Sequence, residues 1–230
     1  MHRQKLKAKE LCYVSALQNP GLILEHLNIL QHVRGDQIVN FDETNCSSDK
    51  YVPTAGRGRG PVRMIQWQIN GKTYSAIAAY TTRGWIAWQI LTGTVTHVEI
   101  MNFIRDKVRP ALLPDSVVIF DGASVHTTDD VMTLLDEVTN GRFKRVPPYC
   151  HQLSPVERGF ANVWNYVRHH YDDAALNPIA ALNASFHFYS ADGFGGSVAK
   201  NHFQVRLFCS VAKNQVRLQC SPAWSPITII

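Results

Sequence analysis

The sequence predicts a mixed α/β fold, a sheet flanked by helices. Three observations carry that expectation. Two short apolar runs, QIVNF and SVVIF, each lead directly into an aspartate, Asp42 and Asp121. Strand-like runs rich in β-branched and aromatic residues lie between them. Apolar residues at helical spacing precede the first run and follow the second.

The elements follow in order. Residues 1–33 read as two helices. The first carries Leu6, Leu11 and Val14 among lysines; the second starts at Pro20, suited to a first turn, and repeats Leu22, Leu24, Leu27, Leu30 and Val33. Residues 37–41 read as a buried strand ending at Asp42, and 50–63 as a Gly/Pro/Arg loop. Strands are expected at 64–69, 73–80 and 84–91, with Asn70-Gly71 as a hairpin signal. An amphipathic helix over 97–109 presents Val98, Met101, Ile104 and Val108, and Pro110 and Pro114 close it. A strand at 116–120, a helix at 128–138 and a short strand at 143–146 come next. The last helix starts near Ser154, with Ser154 as cap, Pro155 in the first turn and Glu157 where a capping box expects an acid. Phe160, Trp164 and Val167 form its apolar face. This is the order of an RNase H-like fold, and taken alone it also suits a doubly wound sheet. Beyond residue 172 the pattern is irregular. SVAKNHFQVRL at 197–207 and SVAKNQVRL at 210–218 form a near-repeat, but two copies are too few for a solenoid.

A chain of 230 residues has room for one domain with a real core. It contains no run of 18 apolar residues, so no membrane-spanning helix is expected. The basic N-terminus lacks the apolar run of a secretory signal. Five scattered cysteines without a CxxC pair argue against a disulfide framework or zinc ribbon and fit a reducing compartment. The net charge is +5, and its distribution is uneven. No acid occurs between Asp49 and Glu99, while Lys50, Arg57, Arg59, Arg63, Lys72 and Arg83 do. Such a stretch attracts polyanions. Arg57, Arg59 and Arg63 are therefore expected on a DNA backbone, with a solvated basic face as the plainer alternative.

Asp42, Asp121 and Glu157 are the candidate chemical groups. Carboxylates at the ends of adjacent buried strands point to a sheet edge, where ligands usually bind. Packed like charges repel unless a cation lies between them. Hard oxygen ligands with open water positions suit Mg²⁺ or Mn²⁺, and two such ions about 3.5–4 Å apart support phosphodiester chemistry. Singly, each residue has an ordinary explanation. Either aspartate could end a strand in a turn, Glu157 could complete a capping box, and His126 could be a satisfied loop histidine.

Three segments supply the combination. FDETNCS (41–47), VVIFDGASVHTT (117–128) and PPYCHQLSPVERGFANVW (147–164) resemble the catalytic blocks of the Tc/mariner superfamily of DDE transposases. The family's usual forms are a strand ending in DE[ST], a strand ending in DNAxxH, and PPYSPDLNPIE before an aromatic-rich helix. The resemblance runs from about residue 37 to 170, and its third block is the most specific. It implies that Asp42, Asp121 and Glu157 are the catalytic, metal-binding acids. It also implies an accessory place for His126 and a packing aromatic at Trp164. Thirty-five residues separate Asp121 from Glu157, close to the short separation of this superfamily. Gly122 replaces the usual Asn, Cys150-His151-Gln152 the usual Ser-Pro-Asp, and Ser154 the usual Asn. Gly122 and Gln152 are expected to loosen the loops around the acids.

The resemblance further implies an RNase H-like catalytic domain over 36–172 using two Mg²⁺ or Mn²⁺ ions on DNA, both transposon ends and target. It implies cleavage and strand transfer, with a homodimer among the expected assemblies and no membrane partner. Residues 1–35 are expected to be a helical remnant of an N-terminal DNA-binding region, because 41 residues before Asp42 leave no room for the family's paired recognition domains. The chain is accordingly expected to be truncated, to nick DNA without excising an element, and to carry an uncertain extension over 173–230. The expected location is the nucleus of a eukaryote, otherwise the cytoplasm or nucleoid, and not the secreted fraction. An inactive transposase-derived DNA-binding or interaction protein is the alternative. A doubly wound small-molecule protein is disfavoured, because GRGRG at 56–60 precedes a strand rather than opening a helix.

Overall fold

The computed structural model describes residues 15–46 and 73–192. The expected helix over the first residues, the strand at 64–69, the Asn70-Gly71 hairpin, Arg57, Arg59, Arg63 and the near-repeat all lie outside them.

Among the described residues, five strands form one mixed sheet. β1 is Ile38–Cys46, β2 Tyr74–Thr81, β3 Gly84–Thr92, β4 Val117–Phe120 and β5 Phe143–Arg145. Their order is β3-β2-β1-β4-β5. The first three are joined antiparallel, while β4 lies parallel to β1 and β5 parallel to β4. The helices are α1 (Pro20–Leu30), α2 (His97–Phe103), α3 (Arg109–Ala111), α4 (Asp129–Thr139), α5 (Val156–His169), α6 (Tyr171–Leu176) and α7 (Pro178–Phe188).

β2 sits between two strands and is buried along its whole length. Its alternate residues serve two cores, as the strand period of two requires. Tyr74, Ala76, Ala78 and Tyr80 join Trp85, Phe160, Trp164, Leu182 and Phe186 beneath α5 and α7. Ile77 and Ala79 join Phe41, Phe103, Phe120 and Leu135 beneath α2 and α4. Helices therefore cover both faces of the sheet.

Several boundaries differ from the sequence expectation. β1 does not end at Asp42 but continues to Cys46, because β2 goes on pairing with it. In α1 the buried residues are Ile23, His26, Leu27 and Leu30, whereas Leu22 and Leu24 are exposed. The buried face is phased differently from the leucine repeat: Ile23, Leu27 and Leu30 share it at spacings of four and three. The helix expected over 97–109 passes into a π-helical turn, Ile104–Val108, before α3. Pro110 has no N–H for the ordinary bond, and the wider turn accommodates its ring.

The domain boundary expected after residue 172 falls inside α6. α7 is part of the fold: Ala181, Leu182 and Phe186 lie in the core with α5. Likewise α1 is docked on the domain through Ile23 and Leu27 against Val146, Cys150 and Leu153. The Tyr189 carbonyl accepts a hydrogen bond from the Trp85 N–H (3.1 Å), and the Ala191 N–H returns one to the Trp85 carbonyl (3.0 Å), closing the segment after α7 onto β3.

Candidate active site

The parallel pairing of β1 with β4 covers only Ile38–Asn40 against Val117–Ile119. Past that register β4 ends, while β1 runs on with β2 as its one neighbour among the described residues. Asp42 and Asp121 stand at this opening. Their carboxylates and the His126 ring each offer an atom within 4.8 Å of the others. The two aspartates that the sequence singles out are thus brought together.

Side-chain alternation splits the first acid pair across the sheet. Asp42 lies opposite Ala78, on the α5 face, whereas Glu43 lies opposite Ile77, on the α2/α4 face. The short 3₁₀ turn Ser124–His126 then folds back under Asp121. His126 is fully buried, edge-on to Phe41 at 5.2 Å between ring centroids. Its Nδ1 is 2.6 Å from Asp121 Oδ1 and its Nε2 is 2.5 Å from Glu43 Oε2. Burial alone would lower the His126 pKa, but the hydrogen bonds to Asp121 and Glu43 raise it to about 9. The ring is therefore an imidazolium that donates to both carboxylates.

Asp121 is held below the usual carboxylate range, chiefly by the His126 bond and, against the cost of burial, by the Ala123 N–H at 2.9 Å. Asp42 goes the other way. Burial first, then the charges of Asp121 and Glu43, push it up to about 7. Its Oδ1 accepts the Glu43 N–H at 2.8 Å. Burial and the facing carboxylates together oppose ionisation of Asp42, and a cation between the acids would relieve the repulsive part. Both imidazole nitrogens of His126 are already engaged, so the oxygens of Asp42 and Asp121 are the donors available. Such hard oxygens suit a divalent ion of the Mg²⁺ or Mn²⁺ type.

Glu157 lies in the first turn of α5, exposed, and outside the 4.8 Å cluster. The expected capping box does not form there. Ser154 instead gives its hydroxyl to Asn40 Oδ1 (2.9 Å), and the Val156 N–H donates to the same oxygen (2.9 Å). A residue of β1 therefore caps α5 from across the fold. Gln152, expected to loosen its loop, accepts from Gln18 Nε2 at 3.3 Å, and the same nitrogen donates to the Tyr149 carbonyl at 2.7 Å. Gly122 lies against the stem of Arg145: a Cβ there would meet Arg145 Cδ at 3.6 Å.

Sequence reasoning missed Glu43 and Asn40. Glu43 stood in plain view within FDET, but which face it takes is a matter of register. Asn40 had a usable signal, an amide flanked by the apolar residues Ile38, Val39 and Phe41.

A family model described as DDE superfamily endonuclease matches residues 37–176. The chain belongs to that family. No match was found among curated proteins. Among solved structures, this chain is similar to the chain in a pre-cleavage Mos1 transpososome, at 14% identity and a TM-score of 0.58, covering 91% of this chain and 67% of that one. It is similar to the Mos1 mariner paired end complex with Mn at 17% identity and 0.57, covering 88% and 66%. It is also similar to the catalytic domain of Mos1 mariner transposase at 14% identity and 0.55, covering 84% and 90%. At these identities the likeness shows the fold, the RNase H-like architecture expected from the order of elements. The chain spans about two thirds of the longer Mos1 chains and most of the Mos1 catalytic domain.

Proposed function

We propose that this chain is the catalytic domain of a mariner-type DNA transposase, cleaving phosphodiesters and joining strands with divalent metal ions. The observation that carries the reading is the Asp42–Asp121 pair at the open end of β1 and β4, with the Asp42 carboxyl pushed up to about 7. Asp42, Asp121 and Glu157 are the proposed ligands of two Mg²⁺ or Mn²⁺ ions. When bound, such ions activate the attacking oxygen and stabilise the leaving one. The Mos1 neighbours include a paired end complex with Mn and one with Mg, which supports that choice of metal.

The chain's own residues have separable tasks. His126 holds Asp121 by one oxygen and leaves the other free. Its positive charge partly offsets the repulsion that Asp121 and Glu43 exert on Asp42. Glu157 rides on α5, the helix packed over the Asp42 face, and is the proposed third acid. Arg57, Arg59 and Arg63 are proposed to hold the DNA backbone. In the reaction, water attacks phosphorus and the 3′-oxygen leaves, giving a 3′-hydroxyl and a 5′-phosphate. That 3′-hydroxyl then attacks a phosphodiester of a second strand, forming a new P–O bond as that strand's 3′-oxygen leaves as a 3′-hydroxyl. A homodimer fits the need to handle two DNA ends. DNA as substrate puts the proposed place of action in the nucleus of a eukaryote, or otherwise in the cytoplasm or nucleoid.

A second reading, DNA binding without catalysis, is favoured by one observation: Glu157 lies outside the cluster. Incubation with supercoiled plasmid separates the two. The first reading expects nicks that need Mg²⁺ or Mn²⁺, vanish with a chelator, and are extended by a DNA polymerase without phosphatase treatment. Plasmid binding with no nick in either metal would establish the second.

A further inference from the structure

We propose that Asn40 is a positioning residue for the acidic site, a single buried amide that fixes the relative placement of all three acids. The inference rests on the reading of Asp42, Asp121 and Glu157 as metal ligands.

Asn40 is completely buried in β1. An amide buried in an apolar strand is costly unless its oxygen and nitrogen both find partners. Here they do. Oδ1 accepts from Ser154 Oγ and from the Val156 N–H, each at 2.9 Å, and Nδ2 donates to the Ile119 carbonyl at 3.1 Å. The orientation of the amide is unambiguous, because a backbone N–H can only donate and a carbonyl can only accept. Val156 N–H belongs to the unpaired donors of a helix start, so Asn40 supplies the cap that α5 lacks locally.

These partners fall beside the acids. Asn40 precedes Asp42 by two residues in β1; Ile119 precedes Asp121 by two at the end of β4; Val156 directly precedes Glu157 in α5. One side chain of the first acid's strand thus binds the two other segments, each within a few residues of its acid. Ser154, where the usual family residue is Asn, contributes the fourth group. Nothing about satisfying a buried amide of β1 requires its partners to fall on the two other segments that carry the acids. A displacement near 1 Å at such a site can cost about 100-fold in rate, so a hydrogen-bonded tie this close has leverage over the metal.

The test is Mn²⁺ binding to the full chain, followed by the electron paramagnetic resonance signal of free Mn²⁺, with circular dichroism and Tm in parallel. Asn40→Ala is expected to weaken Mn²⁺ binding by roughly 10–100-fold, as loss of a group that orients ligands does elsewhere. Ser154→Ala, which removes one of the two bonds to Oδ1, is expected to weaken it less. Leu182→Ala, in the core under α7, is expected to lower Tm and leave Mn²⁺ affinity unchanged. Wild-type affinity in Asn40→Ala with only a lowered Tm would overturn the inference. If Asn40→Ala does not fold, wild-type affinity in Ser154→Ala overturns it instead. Failure of the underlying site reading looks different: the unaltered chain would bind no Mn²⁺, or Asp121→Asn would bind it as well as the unaltered chain.

Discussion

His126 shows how one side chain sets the electrostatics of the site. An imidazolium between Asp121 and Glu43 lets three carboxylates crowd one sheet edge. His126→Ala would leave those acids facing a void. Both carboxylates keep partial access to water, which limits the loss of stability to about 1–3 kcal/mol. Urea denaturation would measure it, and nicking should fall by about 10–100-fold as Asp121 loses its orientation. A second histidine gives a pH dependence of known sign. His26 is buried in α1, its Nε2 has no hydrogen-bond partner among the described residues, and burial, then the charge of Lys144, lower its pKa to about 4. The folded chain therefore binds fewer protons there than the unfolded chain. Its contribution is fully present above about pH 6.5 and is lost as pH falls toward 4, on the order of 3 kcal/mol in all. Stability measured from pH 7 to pH 4 should decline, and His26→Gln should flatten the slope. An equally steep decline in the variant would show that other groups carry it.

Among elements, α5 is the one on which packing and site meet. Its N-terminus is tied to β1 by Asn40, and its body is seated on Trp85. Gly159 is what allows the seating: a Cβ there would come within 2.6 Å of Trp85 Cζ2. Trp85 is itself wedged against Tyr80, Phe160 and Phe186, so the ring has nowhere to go. In a free helix Gly→Ala is worth about 1 kcal/mol of stabilisation. Here overpacking should reverse the sign, and Gly159→Ala should destabilise by about 1–3 kcal/mol. A raised Tm would show that α5 can lift off the sheet, which the tie at Asn40 argues against. The same helix marks the reach of sequence reasoning. Its apolar face, Phe160, Trp164 and Val167, was legible because it repeats at helical spacing. Its cap was not, because Ser154 looks like a local cap and is used by a residue 114 positions away in sequence. α7 was missed for a related reason: it has no charged residue to mark an outer face, so its burial depends on a partner that the local pattern does not name.

At the scale of the whole molecule, the sheet order explains why Asp42 and Asp121 could be paired from sequence. Two apolar runs leading into aspartates suggest neighbouring parallel strands, and β1 and β4 are such neighbours. What the runs could not show is that β1 outlasts β4, which leaves Asp42 in mid-strand at an open edge rather than at a strand end. Glu43 was illegible for the same cause, since its face follows from the pairing with β2. The acid-free stretch that includes Arg57, Arg59 and Arg63 supplies a prediction of its own. Replacing all three by alanine should weaken binding to any DNA sequence. It should also flatten the salt dependence of the affinity, roughly in proportion to the number of phosphates no longer neutralised. An unchanged slope would place the backbone-binding surface elsewhere.

The claim that joins these scales is that Asp42, Asp121 and Glu157 form one metal-dependent nuclease site. Its most direct measurement is the rate of plasmid nicking in Mg²⁺ and in Mn²⁺ by Asp42→Asn, Asp121→Asn and Glu157→Gln beside the unaltered chain. Glu157→Gln is the decisive arm, because Glu157 stands outside the 4.8 Å cluster. The account predicts that each substitution lowers the rate by at least about 100-fold, as misplacing or losing a metal ligand should, while each variant keeps the unaltered circular dichroism spectrum. Nicking by Glu157→Gln at the unaltered rate, with Asp121→Asn inactive, would contradict it.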